Sequence, residues 1–466
     1  MSDATQGEPA APPIRPAQNG DPRPNRGELL HILGVSFGVA VAVGAMIGAG
    51  ILRAPSLIAR EVPDARLILA LWTVALVHAA LEANVVAELG TAMPRAGGPY
   101  VFVHRAFGDV GGLAVGWTMW MQRLASTAAL SVAFADFLAM LWPAAQRALP
   151  AVAVAMQVAM FGANFAGLRE GRAIQEITSL LKALALAAFC VAAFAIVAPL
   201  RATASPIPHM SLLVGWAGLV AAYQLIVGAY SGWYEPAFFS EECKAPGRSL
   251  PRAMAIGLLL TAILYIAING ALLHALGVAG IAASSLPFTP VLARIGGSFA
   301  ATAVAVFAML SVASCTNAGI MSAPRVLLAL SRDRLLPPIF QRVNAGGSPT
   351  VAIAATAVGA IAVALTGSFS LAFGLIATLQ SASFILVILA LFVLRRREPG
   401  LARPYRVILY PWAPLLALVI DMALLALFLN ANWTAGVYAA LLWLLCIPFA
   451  ILARRARGAL PNQSGA

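Results

Sequence analysis

The sequence predicts an all-α integral membrane protein of twelve transmembrane helices, two of them broken at matching places. Three observations predict it. Hydrophobic residues make up 61% of the 466, charged residues only 10%, and mean hydropathy is +0.87; no soluble domain of this size could hide that much apolar surface. The apolar residues gather in twelve runs near the length that crosses a bilayer. Two runs are interrupted by turn-forming residues, Gly44-Ala-Met-Ile-Gly-Ala-Gly-Ile51 and Gly228-Ala-Tyr-Ser-Gly-Trp-Tyr-Glu-Pro236.

Residues 1–30 come first; they are rich in Pro, Ala, Gly and Asp and lack the basic start and apolar core of a signal peptide. A disordered cytoplasmic tail is expected there. Runs at about 31–58, 66–92, 110–140, 149–167 and 174–199 make a first half, residues 31–200. Runs at about 211–239, 251–276, 294–331, 350–366 and 370–394 make a second half, residues 201–394. The 294–331 run is long enough to continue into the cytosol as a helix. Two further spans, 408–430 and 433–453, occupy 395–453, and 454–466 is expected as a cytoplasmic C-terminal tail.

Net charge is +12, yet its placement speaks for a membrane rather than for nucleic acid. Under this threading 22 of the 30 Lys and Arg fall on one side, among them Arg95, Arg105, Arg169, Arg172, Lys244, Arg325 and Arg395. The other side holds Arg60, Arg66, Arg147, Arg201 and Arg294. The positive-inside rule then puts both termini in the cytoplasm of a multi-pass protein of the plasma (inner) membrane. The cysteines, Cys190, Cys243, Cys315 and Cys446, show no metal spacing and no disulfide pattern, and no metal or cofactor is expected.

A helix broken at mid-membrane leaves N–H and C=O groups that lipid cannot satisfy, so a break belongs where it lines a cavity or binds a ligand. Two breaks, each opening one half, are the pattern of inverted-repeat secondary transporters. At the first, Gly48, Ala49 and Gly50 bare the backbone, and the half-helix from Ile51 begins with free N–H groups and a positive dipole end. That end suits a carboxylate. The preceding half-helix ends in carbonyls near Val43 to Met46 that suit an ammonium group, and Met46 and Ile47 complete the candidate binding set here. Gly44-x-x-x-Gly48 would equally serve close helix packing. At the second break the candidates are Gly228, Ala229, Tyr230, Ser231, Gly232, Trp233 and Glu235, with Pro236 preventing a regular helix across them. The aromatics would cover an apolar substrate side chain or simply pack against neighbouring helices. Glu235 is costly at this depth unless paired or wet.

Other charges lie within spans. Lys182 sits among Leu180, Leu181, Ala183 and Leu184 of the fifth. A desolvated lysine can give up its proton and so stand in for a coupling cation; a fixed structural ion pair is the other reading. Arg123 lies in the third span, Asp421 in the eleventh, and His78 and Glu82 share one face of the second at i and i+4. His78 and Asp421 are expected as local packing or pairing.

Several stretches together carry a resemblance. They are Gly48-Ala49-Gly50-Ile51-Leu52 with Pro55; Glu88-Leu-Gly-Thr-Ala-Met-Pro94 followed by Ala96-Gly-Gly-Pro-Tyr100 and Arg105-Ala-Phe-Gly108; Glu241-Glu242, Pro246 and Pro251-Arg252-Ala253; Asn317, Arg325, Arg332, Asp333, Leu336 and Pro337; and Arg403-Pro-Tyr-Arg406 with Pro411. Over about residues 30–453 they resemble the amino acid–polyamine–organocation transporter family, with Ala229 to Trp233 leaning towards its L-type and bacterial neutral amino acid branch. The resemblance implies a five-plus-five inverted repeat with broken helices 1 and 6 and two extra C-terminal helices. It also implies alternating access without covalent chemistry. In proton-using members a lysine of the fifth helix occupies the place of a sodium ion, and Lys182 matches that position. Ala49 replaces a commoner serine, Gly228 falls where a gating aromatic is usual, and Tyr234 falls where cationic-substrate members place an acid.

The expected function is therefore secondary active transport of amino acids, neutral L-amino acids foremost, by proton coupling or exchange. The expected partners are the substrate, protons and the lipid bilayer. An amine, polyamine or cationic amino acid carrier, with Glu235 facing the cation, is the alternative. A membrane enzyme would need converging catalytic groups, and the five histidines are scattered along the chain. A sensor or scaffold would be expected to carry a sizeable soluble output domain.

Overall fold

The computed structural model describes residues 29–198, 212–365 and 369–431, together with 437, 440 and 444. Apart from those three residues, the expected last span at 433–453 lies outside the described residues, as do nearly all of both tails. Within them the chain is helical, with two isolated bridges, Leu33 to Cys243 and Val343 to Pro349.

The first apolar run is two helices, α1 (Val35–Met46) and α2 (Ala49–Glu61), bent by 44° at Ile47 and Gly48. Helix α3 (Ala65–Ala92) starts where the Asp64 carboxylate accepts from the Leu67 N–H at 2.7 Å, capping one free donor of the first turn. Helix α4 (Pro99–Leu141) begins well before the expected 110, because Pro99 opens it and Gly108, at φ +73°, turns an initial segment into the span. Helices α5 (Leu149–Ala166) and α6 (Leu168–Ile196) meet at Gly167.

The second half opens with α7 (Leu212–Tyr230). The expected run to 239 stops there: a turn centred on Gly232, at φ +126°, leads into a 3-10 segment, Glu235–Glu242, with Pro236 near its start. Helix α8 (Pro246–Ala283) follows, kinked at Gly277. The run near 294–331 is a short α9 (Phe288–Gly296) and a long α10 (Ala300–Arg332), which does continue to the charged loop beyond. Then come α11 (Thr350–Leu365), α12 (Phe369–Arg397) and α13 (Trp412–Ala431). Eight of the described helices are long and apolar enough to cross a membrane, nine if α1 with α2 is one span.

Helix α10 lies along α4, α3 along α8, and α1 is enclosed by α6, α8 and α10. Both breaks therefore sit inside a wall of helices, where lipid does not reach their open backbone groups. Leu, Val, Ile and Phe cover the outward faces, as at Val191, Leu259 and Val358, which face away from the core.

Candidate functional site

The two breaks lie against each other. A Cβ on Gly232 would come within 2.7 Å of the Ala45 Cβ and 3.0 Å of the Met46 nitrogen, so only glycine permits this approach as well as this φ. Tyr265 of α8 ties the pair together: its hydroxyl lies 2.7 Å from the Met46 carbonyl and 3.0 Å from the Ala229 carbonyl. Trp72 packs edge-on to both Tyr230 and Tyr265, with ring centroids 5.7 and 5.0 Å away.

The end of α1 is not the row of free carbonyls that the sequence suggests. Lys182 Nζ donates to the Gly44 and Ile47 carbonyls, both at 2.6 Å. Ser311 donates to Ile47 at 2.9 Å and the Cys315 thiol to Ala45 at 2.8 Å. The Gly48 N–H reaches the Met46 carbonyl at 2.9 Å, and the Ile47 N–H the Val43 carbonyl at 3.0 Å. Side chains from α6, α8 and α10 thus replace the missing helical donors, as buried backbone requires. Lys182 is fully buried, and its charge is spread over the negative end of α1.

The start of α2 is different. No side chain caps it at Gly48, and its first turn carries no acid. Ala49, Gly50 and Ile51 present the first N–H groups of a helix without an intrahelical partner. A Cβ added at Gly50 or at Gly228 would meet no heavy atom within 4 Å, so each borders open space. By contrast, Gly44 lies tight against Gln175 and Ser179, and Gly48 against Cys315. Gly44 and Gly48 are thus closely packed, whereas Gly50 is not.

At the second break Ser231 Oγ donates to Gln380 Oε1 at 2.6 Å, and Trp233 and Tyr234 pack on Phe384 of α12. Glu235 is fully buried and forms an ion pair with Arg123 of α4. The Arg123 guanidinium also lies over the Tyr234 and Phe238 rings, 5.3 and 5.6 Å from their centroids. Two of the charges left open at mid-span thereby answer each other.

Tyr265, Ser311 and Cys315 did not emerge from the sequence as site residues. Their signal was there in part: Gln175, Ser179 and Lys182 recur at helical spacing and form one polar stripe on α6. That stripe faces α1, where Ser179 donates to the Ala40 carbonyl at 2.7 Å, and meets α10 through Asn317, which donates to Gln175 at 2.9 Å.

The amino acid permease family profile matches residues 33–452, nearly all of the chain. Among individual proteins the chain is similar to the serine/threonine exchanger SteT of Bacillus subtilis, 26% identical over 409 residues, covering 83% of this chain and 88% of that protein. It is similar to the branched-chain amino acid permease BcaP of the same organism, 27% identical with 77% and 79% covered. It is also similar to the vacuolar cationic amino acid transporter 2 of Arabidopsis thaliana, 24% identical with 80% and 61% covered.

Proposed function

The chain belongs to the amino acid permease family, and on that premise we propose that it carries neutral L-amino acids across the plasma membrane by alternating access. The substrate carboxylate would sit on the N–H groups of Ala49, Gly50 and Ile51, at the positive end of α2. The substrate ammonium would share the Ala229 and Ala45 carbonyls at the crossing of the two breaks, each of which has a second lone pair beside the one that Tyr265 or Cys315 uses. Gly228 leaves room for the side chain, with Tyr230 and Trp233 beside it.

The observation that carries the choice of a neutral substrate is the Arg123–Glu235 pair. A polyamine or cationic amino acid needs an unclaimed acid in the site, and Glu235 already has a guanidinium partner. Lys182 is the proposed coupling group. Protonated, it holds two carbonyls at the end of α1 by charge-assisted hydrogen bonds; deprotonated, it loses the charge that strengthens them and loosens the hinge on which the half-helix turns. Exchange and proton symport both use such a hinge, and a gradient tells them apart.

The test is uptake into proteoliposomes with a competition panel of the twenty amino acids, putrescine and the substrate's amide, with and without an inward proton gradient. Neutral L-amino acids should compete, whereas arginine, lysine, putrescine and the amide should compete poorly. Better competition by lysine or putrescine than by any neutral amino acid would move the assignment to a cation carrier.

A further inference from the structure

Away from the breaks, a second group of ionisable side chains lies buried in the helices. His78 and Glu82 of α3 and Asp421 of α13 are 3%, 4% and 1% exposed. One donor atom from each lies within 4.8 Å of the other two, and His78 Nε2 is 3.3 Å from Asp421 Oδ1. Tyr223 of α7 packs beside α13, against the cluster of Val227, Leu424 and Phe428. Both His78 Nε2 and the second carboxylate oxygen of Asp421, Oδ2, are buried without a hydrogen bond of good geometry.

The charge of this cluster does not balance as it does elsewhere in the protein. Glu88 has Arg395 and Arg403, Glu235 has Arg123, and Glu242 has Arg325. Among the described residues, no arginine or lysine pairs with Glu82 or Asp421; their only basic neighbour is His78. Two carboxylates against one imidazole leave a net negative charge even when the imidazole is protonated. Burying one uncompensated charge costs several kcal/mol, more than a marginally stable fold can carry without function or relief. A further positive charge has to be taken up.

We propose that His78, Glu82 and Asp421 form a proton-binding site, in which one proton lies between His78 and Asp421 and a second, exchangeable proton is held by the Glu82 and Asp421 carboxylates. The unpartnered Oδ2 of Asp421 is its acceptor. No electron transfer or bond breaking is involved: a proton enters from water, neutralises the cluster, and leaves again. The site joins α13 to α3 and to α7, the helix that ends at the second break. Proton occupancy therefore changes how firmly a peripheral helix holds an element of the substrate site. This goes beyond the role proposed for Lys182 and does not depend on it, since the two sites share no residue.

Infrared difference spectroscopy on the full-length protein in proteoliposomes tests it. On a step in pH, the wild type should show a protonated-carboxyl C=O band that shifts on deuteration. That band should be lost or reduced by half or more in both Glu82→Gln and Asp421→Asn. In the same vesicles the pH profile of substrate exchange should flatten in both variants, a change that mere loss of packing would not produce. Carboxyl bands equal to those of the wild type in both variants would overturn the proposal. So would one equivalent of a divalent metal per chain, measured by elemental analysis after purification without chelator, that disappears in His78→Gln. The infrared result stands even if no amino acid is carried, so failure of this site and failure of the transport reading are separable.

Discussion

At the scale of single residues, Lys182, Arg123 and Glu235 are each explained by a partner on another element. Lys182 meets two carbonyls that the break in α1 strips of their helical donors. Lys182→Ala leaves both without their strongest donor and removes the only lysine in the spans. Gradient-driven accumulation in proteoliposomes should fall at least tenfold, while substrate exchange at equal pH keeps a measurable rate. Full accumulation by that variant would make Lys182 a structural cation and place coupling elsewhere. Arg123 and Glu235 follow a different rule, because removing one partner leaves the other buried and charged. Glu235→Gln should lower stability by about 3–5 kcal/mol. The double change Arg123→Met with Glu235→Gln should recover most of that loss, read as the thermal midpoint in detergent. If the single change were as stable as the wild type, Glu235 would be neutral already or facing water. The double change also asks whether the pair is more than structural: neutral substrates should still be transported, with selectivity altered.

At the scale of elements, both broken helices were legible as glycine-rich interruptions of apolar runs, since a run of hydrophobic residues and a turn are local properties. What the breaks do to each other was not legible. Gly232 and Ala45 touch across 187 positions of sequence, and no local pattern announces that a residue's Cβ is missing because another helix passes there. Tyr265 was hidden for the same reason, being one tyrosine in an apolar span until two carbonyls converge on its hydroxyl. The extra turn at Gly108 and the split of α9 from α10 were also missed, since hydropathy averages over a bend that a single glycine makes. Two substitutions separate the roles of these glycines. Gly232→Ala should be poorly tolerated, because it forces both a positive φ on a residue with a Cβ and a 2.7 Å approach to Ala45. Expression of folded protein, followed by size-exclusion chromatography, should fall severalfold. Gly50→Val faces open space instead, so it should leave the folded yield near normal and abolish substrate binding by filling the space beside the N–H groups of α2. Normal binding by Gly50→Val would remove the carboxylate from this end of α2.

At the scale of the whole molecule, the proposed alternating access needs a closed side, and the helix ends around Arg95, Arg332 and Asp333 are fastened by charge. Glu241, just after the second break, accepts from Arg332 of α10 at 2.8 and 2.7 Å and from the Ala96 N–H at 2.9 Å. Asp333, past the end of α10, accepts from Arg95 at 2.8 Å and from the Tyr100 hydroxyl at 2.9 Å. These contacts join the loop before α4, the end of α10 and the segment that follows the second break, so under the proposed mechanism they hold this side closed. The side chains are partly exposed, so each pair alone contributes at most about 1 kcal/mol. Glu241→Gln combined with Asp333→Asn should together weaken closure by about 1–2 kcal/mol, which raises the inward-open population roughly five- to thirtyfold where it is small. Cys315 is the probe of that opening, because its thiol sits on the Ala45 carbonyl at the first break. Peptide mass spectrometry reads Cys315 apart from Cys243, whose thiol is pushed up to about 11 by burial, with the Glu242 carboxylate beside it. Maleimide labelling of Cys315, followed by peptide mass spectrometry, should therefore speed up severalfold in the double variant and slow again when substrate is present. Equal labelling rates in the variant and the wild type would mean that this side is held by the packing of α4 on α10 and not by these charges.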